Sequence, residues 1–398
     1  MLVACRDAKP PPAPVASTAV IDASFNANAR PHRHRIPEHP AADRAFWRNT
    51  FSKPIDVRLA MQLGAQLFRD PRLSASGRLA CATCHDPANA FAPSTDLPIQ
   101  PGGTSGTALG MRAAPSLRYV QLVPSFTEHY HDSDGNEEGT DQGPAGGFDW
   151  DGRAASLHDQ AKGPLFSPLE MANTTPASLA TKLRELPYAA TFRSVFGDDV
   201  LATDDNAIKA LLISLEAYQQ DPAQFYPYTS KFDDVLRGKA AFSPEETRGF
   251  ALFTNPDKGN CARCHPSGGA HPAFTDYGFV ALGVPAVKGP HPLDLGLCGP
   301  LRTDLASHPE YCGMFRTPSL RNVARRRRFF HNGSLGSLRD VVRFYATRDS
   351  NPGLWITDLP KQYLHNLDVG APFAEKTPRL SDEDIGDLVA FLKTLSDS

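Results

Sequence analysis

Two stretches of sequence decide the fold of this 398-residue chain: Cys81-Ala-Thr-Cys-His85 and Cys261-Ala-Arg-Cys-His265. In each stretch two thiols lie on one turn of the backbone and a histidine follows at once. This spacing is typical of c-type haem, whose vinyl groups bind the thiols and whose iron binds the imidazole. A redox dithiol and a zinc site are the alternatives, but two motifs of identical spacing favour haem. The prediction is two covalently bound haem c groups, attached through Cys81, Cys84, Cys261 and Cys264, with His85 and His265 as axial iron ligands.

The sequence around the two motifs also repeats. Ala-Pro-Ser-Leu-Arg at 114–118 matches Thr-Pro-Ser-Leu-Arg at 317–321, and Trp-Asp-Gly-x-x-x-Ser-Leu-x-Asp at 150–159 matches His-Asn-Gly-x-x-x-Ser-Leu-x-Asp at 331–340. Such matches indicate an internal duplication. Strand patterns are sparse, whereas Pro and Gly are frequent between helical patches. We therefore expect a mainly α-helical fold of two cytochrome c-like haem domains with long ordered loops.

Helical patterns mark out the parts of the chain. One begins near Val57, one follows the Asp-Asp-Asn cluster at 204–206, and one follows the capping sequence Ser381-Asp-Glu-Asp384. The run Lys9-Pro-Pro-Pro-Ala-Pro14 favours extended polyproline geometry instead. We expect a linker near 225–245 and three segments: a flexible Pro-rich tether at 1–52, an N-terminal haem domain at 53–232 and a C-terminal haem domain at 233–398.

Charge and hydropathy exclude two function classes. The formal net charge is −3, so no strongly basic character indicates nucleic-acid binding, and no apolar stretch approaches the length of a membrane span. Met-Leu-Val-Ala-Cys5 is similar to the cleavage end of a bacterial lipoprotein signal, although the basic and long apolar parts of a signal peptide are absent. We expect a periplasmic protein in which Cys5 is a candidate for a lipid anchor.

Two longer motifs lie beyond the haem sites. The first is Trp150-Asp-Gly-Arg-Ala-Ala-Ser-Leu-His-Asp-Gln160-Ala-Lys-Gly-Pro-Leu-Phe-Ser-Pro-Leu-Glu170-Met, and the second is Phe315-Arg-Thr-Pro-Ser-Leu-Arg-Asn-Val323 through Phe330-His-Asn-Gly333. In both, the chain resembles bacterial diheme cytochrome c peroxidases and the related enzyme MauG. The likeness extends from residue 55 to residue 398. It implies that the first haem is the peroxide site and the second an electron-transfer haem.

In that family a carboxylate and an amide, which match Glu170 and Gln160 here, lie on the open face of the first haem. Cleavage of the peroxide O–O bond needs a base that takes a proton from one oxygen and returns it to the leaving oxygen, which a desolvated Glu can do. The Gln160 amide can donate and accept the hydrogen bonds that hold the peroxide. The alternative is that Glu170 is a surface or capping carboxylate and Gln160 a solvated amide.

The duplication gives a separate argument that the first haem is open. When Trp150 is aligned with His331, Pro164 in the first copy matches Tyr345 in the second. A phenol oxygen can bind iron, whereas Pro has no ligating group. Tyr345 is therefore the predicted distal ligand of the second haem, as the resemblance to MauG also implies, and Met314 is the competing ligand.

The loop after the first motif bears on the same question. Many family members close the first haem with a histidine on this loop and must be reduced to release it. Between His85 and His129 this chain has no histidine. We expect a peroxide site that is open without prior reduction, with Met111 as the competing closing ligand.

Trp150 matches the family tryptophan that lies between the haems and relays electrons, and its alternative role is that of a core aromatic. With Trp150 as the link, the two haems are expected to share Fe(IV) states after reaction with peroxide. MauG also has a surface tryptophan two residues before its second haem motif, used to oxidise a protein substrate. Here that position is Gly259, which weakens the prediction of protein oxidation.

The family also holds a calcium ion between the haems, through an Asn side chain and two backbone carbonyls. Here the Asn position is Ala113, and the carbonyls belong to Arg326 and Arg328 within a run of four arginines. The lost amide and the added cations argue against calcium as a third cofactor. The arginines instead suit haem propionates or a solvated basic patch.

Two cysteines remain once haem attachment and Cys5 are accounted for. Because the periplasm is oxidising, we predict a disulfide between Cys298 and Cys312. In the chain-entropy model a closed loop of about 15 residues stabilises a protein by roughly 3 kcal/mol. This disulfide would brace the approach to Phe315–Val323.

Three functions are compatible with these features. The expected one is a periplasmic diheme peroxidase, an oxidoreductase that reduces hydrogen peroxide to water with electrons from a small cytochrome c or a cupredoxin. The second is MauG-like, peroxide-dependent oxidation of Trp or Tyr residues on a partner protein. The third is a non-catalytic electron-transfer cytochrome with both irons closed, against which Glu170, Gln160 and Pro164 argue.

Overall fold

The computed structural model describes residues 51, 53–131, 141–287, 293–368 and 379–398. Within these ranges the chain is mainly helical and contains two small two-stranded sheets. The expected mainly α-helical class is therefore confirmed. The expected tether at 1–52, with Cys5, lies outside the described residues apart from residue 51. No helix in the described ranges combines the length and the apolar character needed to span a membrane.

The secondary structure follows in chain order. The α-helices are Val57–Leu67, Cys81–Cys84, Leu157–Phe166, Pro176–Glu185, Ala189–Phe196, Asp204–Gln219, Pro222–Phe225, Lys231–Leu236, Pro244–Thr254, Leu338–Thr347, Pro352–Trp355 and Asp382–Lys393. Short 3-10 helices are Pro71–Leu73, Pro87–Asn89, Val120–Leu122, Cys261–Arg263, Pro309–Tyr311, Val323–Arg325 and Lys361–Asn366. Strand Pro101–Gly102 pairs antiparallel with Ala108–Leu109, and Phe279–Ala281 pairs antiparallel with Met314–Arg316.

In the N-terminal half, helix Val57–Leu67 packs against helix Asp204–Gln219. The two backbones approach closely at Gly64, where a Cβ atom would lie 1.8 Å from the Ser214 carbonyl oxygen. Thr203 caps the second helix by accepting a hydrogen bond from the Asn206 backbone N–H. Both helices arise where the sequence predicts them, because an apolar face and a capping residue coincide.

The C-terminal half repeats this arrangement with helices Pro244–Thr254 and Asp382–Lys393. A Cβ atom on Gly249 would lie 2.0 Å from the Asp387 carbonyl oxygen. Ser381 forms a capping box with Asp384, as its sequence predicts. In each half, therefore, a helix that precedes the haem motif crosses a late helix at a glycine.

Two large apolar cores accompany these helix pairs. The first extends from Ala60 to Phe225 and the second from Phe232 to Leu395. The segment 225–245, where the sequence predicts a linker, is ordered and includes helix Lys231–Leu236. Phe232 anchors that helix in the second core.

Buried polar contacts join the two halves. Arg112 forms ion pairs with Asp151 at 2.7 Å and with Asp294 at 2.6 Å. The carboxylate of Asp397 accepts hydrogen bonds from the Tyr119 hydroxyl at 2.9 Å and from the Asn322 amide at 2.7 Å. The Arg112–Asp294 and Tyr119–Asp397 contacts each connect a segment of the N-terminal half to one of the C-terminal half, so they fix the position of one haem motif relative to the other.

A disulfide joins Cys298 to Cys312. It closes a loop that leads directly into strand Met314–Arg316. The Leu297 backbone N–H donates to the Met314 carbonyl at 3.1 Å, so the loop also pairs with the start of that strand. The strand continues into the segment that lines the second haem motif.

Candidate active site

The first haem motif opens with helix Cys81–Cys84. The backbone N–H of His85 donates to the Cys81 carbonyl at 2.9 Å, which places the imidazole directly beyond the two thiols. The His85 Nδ1 atom lies 3.2 Å from the Phe91 carbonyl oxygen. A ring held through Nδ1 in this way presents Nε2 to a metal. Burial lowers the pKa of His85, so the imidazole is in its neutral, ligating form.

The second motif is built in the same way on the 3-10 helix Cys261–Arg263. The His265 backbone N–H donates to the Cys261 carbonyl at 2.9 Å, and its Nδ1 atom lies 2.8 Å from the Phe274 carbonyl oxygen. Burial lowers the pKa of His265 to about 4. None of the four motif cysteines forms a disulfide in the structure.

A large cavity lies beside the second motif. Cys261, Cys264 and His265 line one part of it, and Tyr345 and Trp150 line other parts. Most of the remaining lining is apolar, including Phe253, Leu282, Val284, Val323, Leu338, Val341, Val342, Leu388 and Leu392. Two thiols, a neutral imidazole and a mostly apolar recess are the features that fit a haem.

Tyr345 and Met314, the two residues that the sequence offers as distal ligands of the second haem, occupy different surroundings. Tyr345 projects from helix Leu338–Thr347 and lines the cavity with His265. Burial raises the pKa of Tyr345 above its usual range. Met314 instead packs against the apolar cluster of Phe279 and its neighbours.

The residues predicted to handle peroxide come together around Asp149. The Gln160 amide donates to Asp149 Oδ1 at 3.3 Å, and Arg153 forms an ion pair with Asp149 Oδ2 at 3.1 Å. Glu170 interacts electrostatically with both Asp149 and Arg153. Its charge also helps to raise the pKa of Cys84, although burial is the larger cause. The cluster therefore lies on the side of the first haem motif.

The Glu170 side chain is exposed to solvent, but partial desolvation of its carboxyl by the surrounding protein raises its pKa. Repulsion by Asp149 adds to this effect, whereas Arg153 and a hydrogen bond with Ser167 oppose it. Burial likewise raises the pKa of Asp149. A carboxyl with a raised pKa is suited to proton transfer near neutral pH.

Asp149 is the member of this cluster that sequence reasoning missed. Its backbone adopts a left-handed conformation with φ of 68°, which a non-glycine residue rarely adopts. Its carbonyl oxygen accepts a hydrogen bond from Arg316 Nε at 3.1 Å, and Trp150 follows directly. Asn and Asp tolerate this conformation better than most residues, which is the one local signal that the sequence carried.

Trp150 is buried and bridges the two halves. Its indole N–H donates to the Ala113 carbonyl at 2.9 Å, and its own carbonyl accepts from the Arg316 backbone N–H at 2.9 Å. The ring belongs to the N-terminal half but lines the cavity of the second motif. The role of Trp150 as a relay between two haems stays a prediction.

Comparisons with known proteins agree with this geometry. The family pattern described as "Di-haem cytochrome c peroxidase" matches residues 58–241. The methylamine utilization protein MauG of Paracoccus denitrificans is 35% identical, over 87% of this chain and 90% of its own length. This chain belongs to the MauG-like diheme peroxidase family. The family implies two haem cofactors and an oxidoreductase of the peroxidase type.

Further relatives of this diheme peroxidase include enzymes and a crystal structure. The cytochrome c551 peroxidase of Pseudomonas aeruginosa is 30% identical over 79% of this chain and 80% of its own length. The crystal structure of the diheme peroxidase BthA from Burkholderia thailandensis superposes with a TM-score of 0.76 at 36% identity. That superposition covers 86% of this chain and 87% of the BthA chain.

This diheme peroxidase has Ala113 at the position that matches the calcium-binding Asn of the family. Ala113 has no side-chain oxygen, and its carbonyl already accepts the Trp150 indole N–H. The residues at this place therefore do not fit calcium, which binds six to eight oxygen ligands.

The loop after the first motif is pinned in this diheme peroxidase. Met111, the competing closing ligand, is half-buried and precedes Arg112. The ion pairs of Arg112 with Asp151 and Asp294 tie the adjacent backbone to both halves. Because Met111 is next to Arg112 in the chain, these ion pairs restrain movement of the Met111 backbone.

Proposed function

We propose that this diheme peroxidase reduces hydrogen peroxide to water in the periplasm, with electrons from a small cytochrome c or a cupredoxin. One observation carries the proposal. Gln160, Asp149 and Glu170 gather on the side of the first haem motif, whereas Tyr345 faces the cavity of the second. The first site has acid–base groups, and the matching helix offers Pro164, which has no group that can bind iron. The second site has Tyr345 at the equivalent position, and a phenol oxygen can bind iron.

Haem attachment is the first part of the proposal. Cys81 and Cys84 would hold one haem c and Cys261 and Cys264 the other, with His85 and His265 as proximal ligands. When bound, the haem supplies a redox-active iron that reacts with peroxide. The hydrogen bonds of both imidazoles to backbone carbonyls support this assignment, because they orient the rings before any metal is present.

Glu170 is the proposed proton carrier. Its carboxylate would take a proton from one peroxide oxygen and return it to the oxygen that leaves as water. The raised pKa of Glu170 supports this role, since a base that also acts as an acid works best with a pKa near the operating pH. Gln160 would hold the peroxide, and its contact with Asp149 fixes the amide in place.

Tyr345 is the proposed distal ligand of the second haem. Its position on the cavity wall supports it over Met314, which packs elsewhere. A phenolate is a hard anionic donor and stabilises ferric iron over ferrous iron. Trp150, which contacts both halves, is the proposed relay between the two sites.

We also infer that 53–232 and 233–398 are two haem domains that arose by duplication of one unit. The separate apolar cores support the division. The equivalent glycine crossings at Gly64 and Gly249 support the common origin, because a repeated close approach of this kind is not required by haem attachment itself. The expected lipid anchor at Cys5 stays a prediction, since Cys5 lies outside the described residues.

Peroxide-dependent oxidation of a partner protein is the second candidate. The likeness to MauG and the position of Tyr345 favour it. Gly259 speaks against it, because a Cβ atom there would lie 2.5 Å from the Leu252 carbonyl oxygen. A surface tryptophan therefore could not replace Gly259 without displacing the backbone.

The two functions can be separated by one comparison. Purified enzyme with both haems is given hydrogen peroxide and a reduced small cytochrome c, and in parallel a protein encoded beside it. We expect steady oxidation of the cytochrome with peroxide consumption, and no mass change in the Trp or Tyr residues of the neighbouring protein. Modification of that protein without cytochrome turnover would reverse the order of the two proposals. Absence of any reaction with peroxide would leave only an electron-transfer cytochrome.

A further inference from the structure

The run of four arginines from Arg325 to Arg328 is divided by the fold. Arg325 donates to the Asp397 backbone carbonyl at 2.8 Å. Arg327 forms an exposed ion pair with Asp96 at 3.2 Å, and Arg328 donates to the Asp96 backbone carbonyl at 2.6 Å. Three of the four side chains are thus bound to protein groups near the surface of the molecule.

Arg326 is placed differently. It lines the cavity of the second haem motif together with Trp150 and His265, and it also lines a small groove formed with Ala113 and its neighbours in the N-terminal half. Its guanidinium carbon lies 5.7 Å from the centre of the Trp150 ring. Among the described residues, no hydrogen bond or ion pair from this guanidinium to a protein group is present.

A half-buried cation that faces a mostly apolar cavity needs an anion. Burial alone lowers the pKa of Arg326 to about 10, so the guanidinium still carries its charge at neutral pH. A charge that is moved out of water without a partner is strongly unfavourable. The cation–π contact with Trp150 offsets only a small part of that cost. The remaining requirement is a group that enters the cavity from outside the chain.

The same place disfavours a divalent cation. Ala113 supplies a methyl group in place of a side-chain oxygen, and the guanidinium of Arg326 would repel a second positive charge. The position between the two halves is already occupied by a cation that belongs to the chain.

We propose that Arg326 is a built-in counter-cation that binds a propionate carboxylate of the haem held by Cys261 and Cys264, and that it stands in for calcium between the two sites. This inference rests on haem attachment as proposed above. Arg is suited to the role because its planar guanidinium binds a carboxylate through two parallel hydrogen bonds. The charge stabilises the reduced, less positive iron and so raises the midpoint potential of the second haem.

The test compares two variants, each of which removes one positive charge, in protein with both haems attached. Arg326→Met removes the cation that lines the cavity, and Arg327→Met removes an exposed neighbour. We expect the midpoint potential of the second haem to fall in Arg326→Met, with at least a tenfold rise in its ferric-to-ferrous ratio at a fixed potential, about 59 mV for one electron. Arg327→Met should show a much smaller shift, and Arg326→Lys, which keeps the charge, should stay near the wild type.

Metal analysis gives a second readout. Wild-type protein equilibrated with calcium chloride and then desalted should contain well under one calcium per chain, and a chelator should leave its unfolding temperature unchanged. One tightly bound calcium, or equal potentials in Arg326→Met and Arg327→Met, would overturn the proposal. A wild-type protein that carries no haem at Cys261 and Cys264 would instead overturn the proposed function on which it rests. If Arg326→Met does not retain haem, Arg326→Lys provides the test. A midpoint potential of the second haem well below the wild-type value in Arg326→Lys would contradict the proposal, because that variant keeps the positive charge.

Discussion

Helices Leu157–Phe166 and Leu338–Thr347 begin in the same way. Ser156 caps the first and accepts from the Asp159 backbone N–H at 3.1 Å, while its hydroxyl donates to the Asp159 carboxylate at 2.9 Å. Ser337 and Asp340 repeat both contacts at 3.0 Å and 2.8 Å. The two helices therefore share one capping geometry and present their later residues at equivalent positions.

Beyond the caps the two helices differ in chemistry. The first presents Gln160 and then Pro164, and the second presents Val341 and then Tyr345 at the same positions. Val341 and Tyr345 both line the cavity beside the second haem motif. Gln160 instead contacts Asp149 in the group formed by Asp149, Arg153, Gln160 and Glu170, called here the peroxide cluster. In the proposed function one scaffold would therefore support a reactive site and a closed site, and the difference would lie in a few side chains rather than in the capping geometry.

The largest expected effect comes from making the second site resemble the first. Tyr345→Phe removes the proposed phenolate ligand while keeping the ring. The choice of axial ligand moves haem potentials over a range of about 0.8 V, so we expect a marked rise in the potential of the second haem and loss of its phenolate-type ferric spectrum. Spectroelectrochemical titration measures both. The matched control is Met314→Leu, which should change neither; the opposite pattern would assign the ligand to Met314.

The second prediction removes the acid–base group that distinguishes the first site. Glu170→Gln keeps the size of the side chain but cannot accept a proton, so reaction with peroxide should slow by about 10²–10⁴-fold while both haems remain bound. Stopped-flow mixing with hydrogen peroxide measures the rate. Glu185→Gln, at an exposed helix end, is the control and should react as the wild type. An unchanged rate in Glu170→Gln would make Glu170 a structural residue.

A third prediction concerns the disulfide in the C-terminal half. Replacing Cys298 and Cys312 with alanine should lower the free energy of unfolding by roughly 3 kcal/mol, since the closed loop no longer restricts the unfolded chain. Denaturant unfolding followed at the two haems shows which half is affected. We expect the second haem, which stays covalently attached, to lose its native ligation spectrum at lower denaturant than the first, and the initial reaction with peroxide to persist. Loss of both native haem spectra at the same denaturant concentration would mean that the two halves unfold as one unit.

The smallest expected effect tests the electrostatics of the peroxide cluster. The rate of reaction with peroxide should fall as pH drops through the raised pKa of Glu170, because the base becomes protonated. Asp149→Asn removes a like charge, which lowers the pKa of Glu170, so the inflection should move to lower pH. Asp205→Asn, an exposed carboxylate on another helix, should leave the inflection in place. A shift to higher pH would indicate that Asp149 acts mainly by holding Arg153.

Sequence reasoning located what is encoded locally. The helices that begin at Asp204 and Asp382 were predictable, because capping residues and apolar periodicity agree there. Helix Leu157–Phe166 was not predicted, since Pro164 and the adjacent Gly163 disturb the helical pattern. The glycine crossings at Gly64 and Gly249 escaped notice, because a lone glycine in a helical pattern does not reveal which backbone approaches it.

The parts of the site that were missed depend on contacts between distant segments. Asp149 reaches Gln160 and Glu170 through a left-handed backbone turn, and no periodicity reports that turn. The four arginines look alike in sequence, and only the fold directs Arg326 into the cavity while Arg327 meets Asp96. The sequence therefore shows which residue types stand at these positions, but not the direction in which each side chain points.

Trp150 has a consequence for how the protein can be divided. Its ring forms part of the boundary of the second cavity, yet it comes from the half that is synthesised first. A C-terminal half expressed alone would lack this piece of its own haem pocket, so the halves are not interchangeable modules that could be traded between relatives. During synthesis, in which N-terminal domains generally fold first, the ring is available before the Cys261–His265 segment emerges, which favours completion of the second pocket against a preformed surface.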